Sequence, residues 1–473
     1  MLVIGIGMLP ITGLNSTSDA PLYRQLSGKI KEMIHSGVLS QGERLPPTRE
    51  LAGSLGLNRT TVSAAYDLLE TEGLIKAHVG RGSFVNVPAR PAGPISFSSS
   101  RPSESLFPLA AFRTTCAEVI QSPEAQTILQ LGSPSGYPPL RRYLMAQAVR
   151  EGIARPTDEI LISSGCQQAF DLLQRILASR GETVAIEDPV IPGLRNAFAR
   201  DGARLIGVPV GPQGMDLNAL ERTLDRDRPG IVIVTPNYQN PTGATLPLDA
   251  RRRLVRMAVK AGVTLVENDI YGSLGYDGEV LPTLKQLDET GAVVLLRSFS
   301  KLAFPGLRVG WVIGPKPIIE RLTEAKQWSD LHTDQLSQAI LYRFAESGRL
   351  EDHRQRMLSA GSERVRAAIE ACERHLPAGT NFTRPRGGMN LWVQLPEPLD
   401  AGELLPRAER AGVTYLPGKF FGVSRQVPGS LRISFAGMEP HRIEAGLAIL
   451  GGIFREELER AKDSRLEPMT AMV

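Results

Sequence analysis

Cysteine is scarce. The chain of 473 residues holds three, Cys116, Cys166 and Cys372, too far apart for metal-ligand spacing and too few for a disulfide scaffold. A reducing cytoplasm is the expected home. Long apolar runs are also missing. The longest, Met1 to Ile11, is too short to span a bilayer and is interrupted by glycine and proline. It lacks the basic stretch of a signal peptide, and Met8 is an alternative start. No membrane attachment is expected. No internal repeat is present, which excludes a solenoid. Hydrophobic residues at 42% and charged residues at 22% exclude disorder throughout. A strong charge of one sign is absent too. The net charge is +4, and the first 88 residues carry eight basic against seven acidic side chains. Any argument for nucleic-acid binding must therefore rest on placement.

What is present falls into modules, and the length suggests about two to four domains. Residues 88–108, PARPAGPISFSSSRPSESLFP, are rich in Pro, Ser and Gly without apolar period, which predicts a linker. Before it, residues 19–87 read as a small module. Leu22, Leu26, Ile30, Met33 and Ile34 recur at helical steps. Pro46-Pro47-Thr48 predicts a turn and a cap for a short helix, Arg49 to Leu55. Asn58 predicts the cap of a third helix carrying Val62, Ala65, Tyr66 and Leu69 on one face. Residues 74–78 and 83–87, separated by Val79-Gly80-Arg81-Gly82, predict a hairpin.

Helix, turn, helix and hairpin suggest a winged helix-turn-helix, an α+β unit. Polar Arg59, Thr60 and Thr61 at the start of the third helix lie where a recognition helix meets base edges. Arg49 at the start of the preceding helix can reach a phosphate, and Gly80 and Gly82 allow a hairpin tip to approach DNA closely. The stretch from Pro21 to Val85, with ERLPPTRELA and NRTTVSAAY, resembles the GntR family of bacterial winged-helix regulators. That resemblance implies operator DNA as partner, with Arg44, Arg49, Arg59, Thr60, Thr61 and Ser63 facing it and the wing at Gly80.

Beyond residue 134 short apolar runs alternate with helical stretches, at residues 159–163, 183–187, 204–208, 231–234, 263–267 and 292–296. They predict an α/β domain around a largely parallel sheet, with a smaller α+β piece from about residue 375. Chemical features cluster at strand ends, where such sheets bind ligands. Ser163-Ser164-Gly165-Cys166-Gln167 turns a strand into a helix whose free N–H groups suit a phosphate. Asn240 lies in Asn-Pro-Thr-Gly, Glu267-Asn268-Asp269-Ile270-Tyr271 follows a strand, and Ser298-Phe-Ser300-Lys301 precedes Pro-Gly-Leu-Arg308. A lysine beside other cations can serve as a Schiff-base amine.

In this order the motifs resemble the fold-type I pyridoxal phosphate aminotransferases, over residues 105–457. The resemblance implies a large domain at 109–374 and a small C-terminal subdomain at 375–460. Lys301 would carry the cofactor as an internal aldimine. Gly165, Cys166, Gln167, Ser298, Ser300 and Arg308 would form the phosphate cup. Asn240 and Tyr271 would bond the ring oxygen, and Arg432 would hold a substrate α-carboxylate. Three positions depart from the enzyme pattern. Asn268 stands where an aspartate keeps the ring nitrogen protonated, although the neighbouring Asp269 leaves the register open. Ile191 replaces a ring-stacking tyrosine. Leu131 replaces a tyrosine lent to the partner's phosphate site.

A GntR-type module joined to an aminotransferase-like domain resembles the MocR subfamily of regulators. This implies a cytoplasmic, PLP-binding transcription factor and a head-to-tail swapped homodimer. It would sense PLP or an amine or amino-acid effector through a Lys301 aldimine. The alternative is an active amino-acid aminotransferase with an accessory DNA-binding module.

Overall fold

The computed structural model describes residues 11, 14, 20–35, 38–39, 42–78, 82–86, 93–178, 181–200 and 202–466. The chain forms two compact units, Met1–Gly93 and Pro94–Val473.

The first unit follows the apolar periodicity. Helix α1, Leu22–His35, buries Leu26, Ile30 and Ile34. Helix α2, Thr48–Leu55, begins one residue earlier than the sequence suggests. Pro47 supplies the entry conformation by its fixed φ of −55°, so no hydroxyl cap is used. It stops at Gly56, whose φ of +62° favours glycine. Helix α3, Arg59–Thr71, is capped by Asn58, whose side chain accepts from the Thr60 N–H at 3.2 Å. Val62, Ala65, Tyr66 and Leu69 form its buried face. The Tyr66 hydroxyl donates to Pro46 O at 2.8 Å and ties α3 to the turn before α2. Strands β1, Ile75–His78, and β2, Gly82–Val85, pair antiparallel with Ile75 opposite Val85. The hairpin tip, including Gly80, lies outside the described residues.

The second unit opens with β3, Ile95–Ser96. The next eight strands in chain order are β4 Asp158–Ser163, β5 Thr183–Asp188, β6 Arg204–Gly211, β7 Gly214–Met215, β8 Ile231–Val234, β9 Thr264–Asn268, β10 Val293–Ser298 and β11 Gly310–Pro315. They form one sheet in the order β4-β11-β10-β9-β8-β5-β6-β7. The strands from β10 to β6 run parallel, and β11 is antiparallel to both neighbours. Apolar side chains of both sheet faces are buried under helices, as a parallel sheet requires. A second sheet contains β12 Asn381–Phe382, β13 Asn390–Gln394, β15 Leu416–Pro417 and β16 Ser430–Ser434, while β14 Val413–Thr414 pairs with β3. Among the described residues no helix is long and apolar enough to cross a membrane.

The expected linker at 88–108 needs correction from Pro94 onward. Ile95 and Phe97 donate their main-chain N–H groups to Gly412 O and Thr414 O, each at 2.8 Å. Phe97 is fully buried in the core of the smaller sheet. The segment is therefore built into the second unit. Its attachment is mainly through backbone and one aromatic, which a count of apolar residues does not register. The small-sheet core also takes Val365, Ala368 and Cys372 from the helix Arg349–His375. It thus extends on both sides of the expected boundary at residue 375.

Candidate functional site

In the first unit Arg44, Arg49, Arg59 and Thr60 are exposed, while Thr61 and Ser63 are half-buried on the same helix as Arg59. None of the three arginines forms an ion pair with the described residues. Arg44 packs its guanidinium over Gly82, where an added Cβ would meet Nε at 3.1 Å. Free guanidinium groups at the start of α2 and α3 suit phosphates and base edges. Arg59→Ala is expected to weaken operator binding by about 1–3 kcal/mol, read by fluorescence anisotropy at fixed salt. Unchanged affinity would remove Arg59 from the interface.

In the second unit the carboxyl edge of the parallel strands gathers the other predicted residues. Gly165 caps the helix Cys166–Leu177 with φ of +84°. A Cβ there would lie 2.4 Å from Arg308 Nη2, so glycine is what lets Arg308 reach over the helix N-terminus. Arg308, itself at φ +54°, donates to Ser300 Oγ at 3.4 Å and to Ser164 O at 3.5 Å. Ser298 Oγ accepts from the Ser300 N–H at 3.1 Å and closes the turn that presents Lys301. Gln167 turns instead to Gly193 O at 3.1 Å. The Cys166 thiol is pushed by burial up to about 12, which leaves it a neutral packing group. Helix N–H groups, two hydroxyls and a guanidinium make a cradle that fits a phosphate.

Lys301 Nζ donates to Ser100 O at 2.6 Å and stands 5.9 Å from the centre of the Tyr271 ring. Asn240 Nδ2 donates to the Tyr271 hydroxyl at 2.8 Å, and Asn240 Oδ1 accepts from Arg432 Nη1 at 3.0 Å. Arg432 also donates through Nη2 to Ser98 O. Its guanidinium is 5.2 Å from the centre of the Phe421 ring and has no carboxylate partner among the described residues. Burial pushes it down to about 10. A buried, uncompensated cation of this geometry calls for an anion.

The structure separates Asn268 from Asp269. Asn268 ends β9 and donates through Nδ2 to Thr235 Oγ1 at 3.1 Å, leaving Oδ1 buried without a partner. Asp269 is consumed elsewhere, accepting from Asn237 Nδ2 and Arg297 Nε, each at 2.8 Å. Lys301, Asn268, Tyr271 and the cradle, on adjoining turns, fit the aldehyde, ring and phosphate of a pyridoxal cofactor. Ile191 sits at the start of the helix Pro192–Ala199, and Leu131 is 80% exposed.

Two groups escaped the sequence reading. The first is the stretch Ser98–Ser100, whose carbonyls accept from Arg432, Ser434 and Lys301, while Ser100 Oγ donates to Asn390 Oδ1. The isolated Phe97 in Ile-Ser-Phe was its only signal. The second is Glu187 at the end of β5, 1% exposed. Burial raises its carboxyl to about 8, against donors on Thr235 and Gln239 that lower it. A group whose folded pKa is raised binds its proton more tightly when folded. Its contribution is therefore fully present below pH 4.5 and lost as pH rises toward about 8. In cofactor-free protein, urea unfolding should show Glu187→Gln removing a fall of about 1.4 kcal/mol per pH unit across that window. An unchanged slope would contradict it.

Residues 103–450 match the family model "Aminotransferase class I and II" and residues 22–85 match "Bacterial regulatory proteins, gntR family". Over 92% of this chain and 99% of the relative, the chain is 30% identical to the HTH-type transcriptional regulator YdcR of Escherichia coli. It is 28% identical to the probable rhizopine catabolism regulatory protein MocR of Rhizobium meliloti, over 93% of this chain and 95% of that one. Among solved structures, LysN, an alpha-aminoadipate aminotransferase of Thermus thermophilus complexed with N-(5'-phosphopyridoxyl)-L-leucine, matches with a TM-score of 0.74. The identity is 34%, over 78% of this chain and 94% of that chain. With its winged helix and its aminotransferase domain aligned end to end with such regulators, the chain belongs to the MocR subfamily of GntR-type transcriptional regulators.

Proposed function

We propose that this regulator binds operator DNA through α3 and the β1–β2 hairpin and senses an amine or amino acid through pyridoxal phosphate held at Lys301. The observation that carries the reading is that one stretch of main chain engages two cations. Arg432 donates to Ser98 O, and Lys301 Nζ donates to Ser100 O at 2.6 Å. An amino acid presents a carboxylate and an amine on one carbon, and these two side chains are the ones it would engage.

Pyridoxal phosphate, when bound, supplies an aldehyde that condenses with primary amines. The N–H groups at the start of the helix Cys166–Leu177, with Ser298, Ser300 and Arg308, hold its phosphate. Asn240 and Tyr271 orient the ring oxygen. Lys301 would contribute the primary amine that holds the aldehyde. Arg432 exchanges Ser98 O for the ligand carboxylate, as a bidentate pair. Ligand binding thereby acts on residues 98–100, a few positions from the stretch that joins the two units in sequence. Operator affinity changes to the extent that the ligand binds the two states unequally.

The reading includes cytoplasmic residence and a head-to-tail swapped homodimer. Gln167 and Arg308 of the cradle are exposed, and so is Leu131, the position corresponding to the residue lent to a partner's phosphate site. An absorption spectrum of the full chain with pyridoxal phosphate tests the cofactor. A visible band that one amino acid shifts, without release of keto acid, is expected. No band would overturn the reading.

A further inference from the structure

The phosphate cradle has an outer layer, supplied by the end of the helix Lys316–Asp330. We propose that Asp330, paired with Lys326, is a positioning residue for the cofactor's phosphate, acting through the Gln168 amide on the turn Ser163–Gly165. The inference rests on the pyridoxal phosphate reading above and deepens it.

The argument is one of hydrogen-bond direction. Asp330 Oδ2 accepts from Gln168 Nε2 at 2.7 Å, and Lys326 Nζ pairs with Oδ1. A carboxylate beside an ammonium only accepts, so the Gln168 amide turns its NH2 toward Asp330 and its oxygen away. That oxygen accepts the Ser164 N–H at 2.8 Å. The Ser164 hydroxyl lies 3.3 Å from Asp330 Oδ2 and 3.2 Å from Thr333 Oγ1. The Ser164 carbonyl accepts from Arg308 Nη2 at 3.5 Å. All three polar groups of Ser164 are therefore engaged, the hydroxyl with Asp330 directly and the N–H through Gln168. Gln168 stands in the first turn of the helix Cys166–Leu177, which Gly165 caps. In a capping box a glutamine at that position reaches back to the N–H of the cap residue. Held by Asp330, Gln168 binds the residue before the cap instead, and the N–H groups at the helix start stay available to a phosphate.

Asp330 is itself held under strain. Leu331, which follows it, has φ +61° and ψ −60°, and the His332 N–H donates across it to Asp330 O at 2.7 Å. This is a γ-turn of the rare, strained hand. A leucine persists there only where its surroundings over-determine it. Here Asp330 and Thr333, on either side of the turn, both meet Ser164, while Lys326 is fully buried and Thr333 is 2% exposed.

The test measures binding of pyridoxal phosphate and of pyridoxal to the full chain by visible absorption. Pyridoxal has the aldehyde and the ring without the phosphate. 31P NMR of the pyridoxal phosphate complexes then reads the phosphate itself, and decides where pyridoxal binds too weakly to read. Asp330→Asn is close to isosteric but has one acceptor oxygen for Gln168 and Lys326 together. It is expected to weaken pyridoxal phosphate by about tenfold, as for one hydrogen bond to a charged group, to move the 31P signal and to leave pyridoxal unchanged. Gln168→Met, which removes both bonds of the amide, is expected to do the same and serves should Asp330→Asn not fold. Combining Gln168→Glu with Asp330→Asn restores the direction of the chain, because the new amide donates to the new carboxylate, which accepts the Ser164 N–H. That pair is expected to bind pyridoxal phosphate more tightly than Gln168→Glu alone. Asp330→Asn overturns the inference if pyridoxal phosphate affinity or the 31P signal is unchanged, or if pyridoxal weakens equally, which marks a packing effect. A double variant no better than Gln168→Glu alone overturns it too. A wild type without a visible band overturns the cofactor reading itself, so the two failures are told apart.

Discussion

Lys301→Ala is expected to abolish the visible band and every response of operator binding to amines. The lysine has one role that no neighbour can supply. Among the residues placed at the ring and the cradle it offers the sole primary amine, and its Nζ is held by Ser100 O at 2.6 Å on the side of Arg432. Alanine removes the attachment point and frees Ser100 O, without touching the contacts of α3 in the first unit. Affinity for operator without ligand serves as the reference, and the loss is read as the disappearance of ligand dependence. Coupling energies between sites are typically about 1–3 kcal/mol, or roughly 5–150-fold in affinity. The variant should bring that factor to one. Retained ligand dependence would move the sensing site away from Lys301.

Asn268→Asp is expected to convert a weak electron sink into a strong one. In the wild type the group at this position is a neutral amide whose Oδ1 is buried without a partner. A carboxylate at position 268 would bring a full negative charge to a ring nitrogen held there. A protonated ring draws electrons from the α-carbon of a bound amino acid, and each 1.36 kcal/mol of barrier is worth tenfold in rate. Keto-acid release in steady state should therefore rise by about tenfold or more, with operator affinity in the absence of ligand as control. The Asp side chain must displace nothing, because the Asn268 amide is its close isostere and Asp269 remains tied to Arg297 at 2.8 Å. Equal turnover in both forms would show that the substitution at 268 does not limit the chemistry.

The architecture was legible where period and punctuation are strong. The apolar steps of α1 and α3 and the glycine after α2 lie where the sequence puts them, and the six predicted runs of the large sheet all begin within about one residue of it. Strand β11, Gly-Trp-Val-Ile-Gly-Pro, was not read, because glycine and proline frame it as a turn. The segment after Pro94 was misread for a related reason. Its attachment is a two-residue strand, one buried Phe97 and a series of main-chain carbonyls, and carbonyls have no signature in a sequence. The adjacent pair Asn268 and Asp269 could be ordered only by their partners. Arg297 and Thr235 look unremarkable in the chain until the sheet places them beside that pair. The same holds for Glu187, which the register of β5 against β8 brings toward Thr235.

The regulator reading and its alternative, an aminotransferase with an accessory DNA module, differ in what a ligand changes. The most direct measurement is operator affinity of the full chain by fluorescence anisotropy, on a duplex recovered by in vitro selection. It is taken with pyridoxal phosphate alone and then with a panel of amino acids and amines. The account predicts that one amine or amino acid shifts affinity by at least about fivefold, and only when the cofactor and Lys301 are both present. Affinity that no ligand alters, while keto acid accumulates steadily, would contradict it.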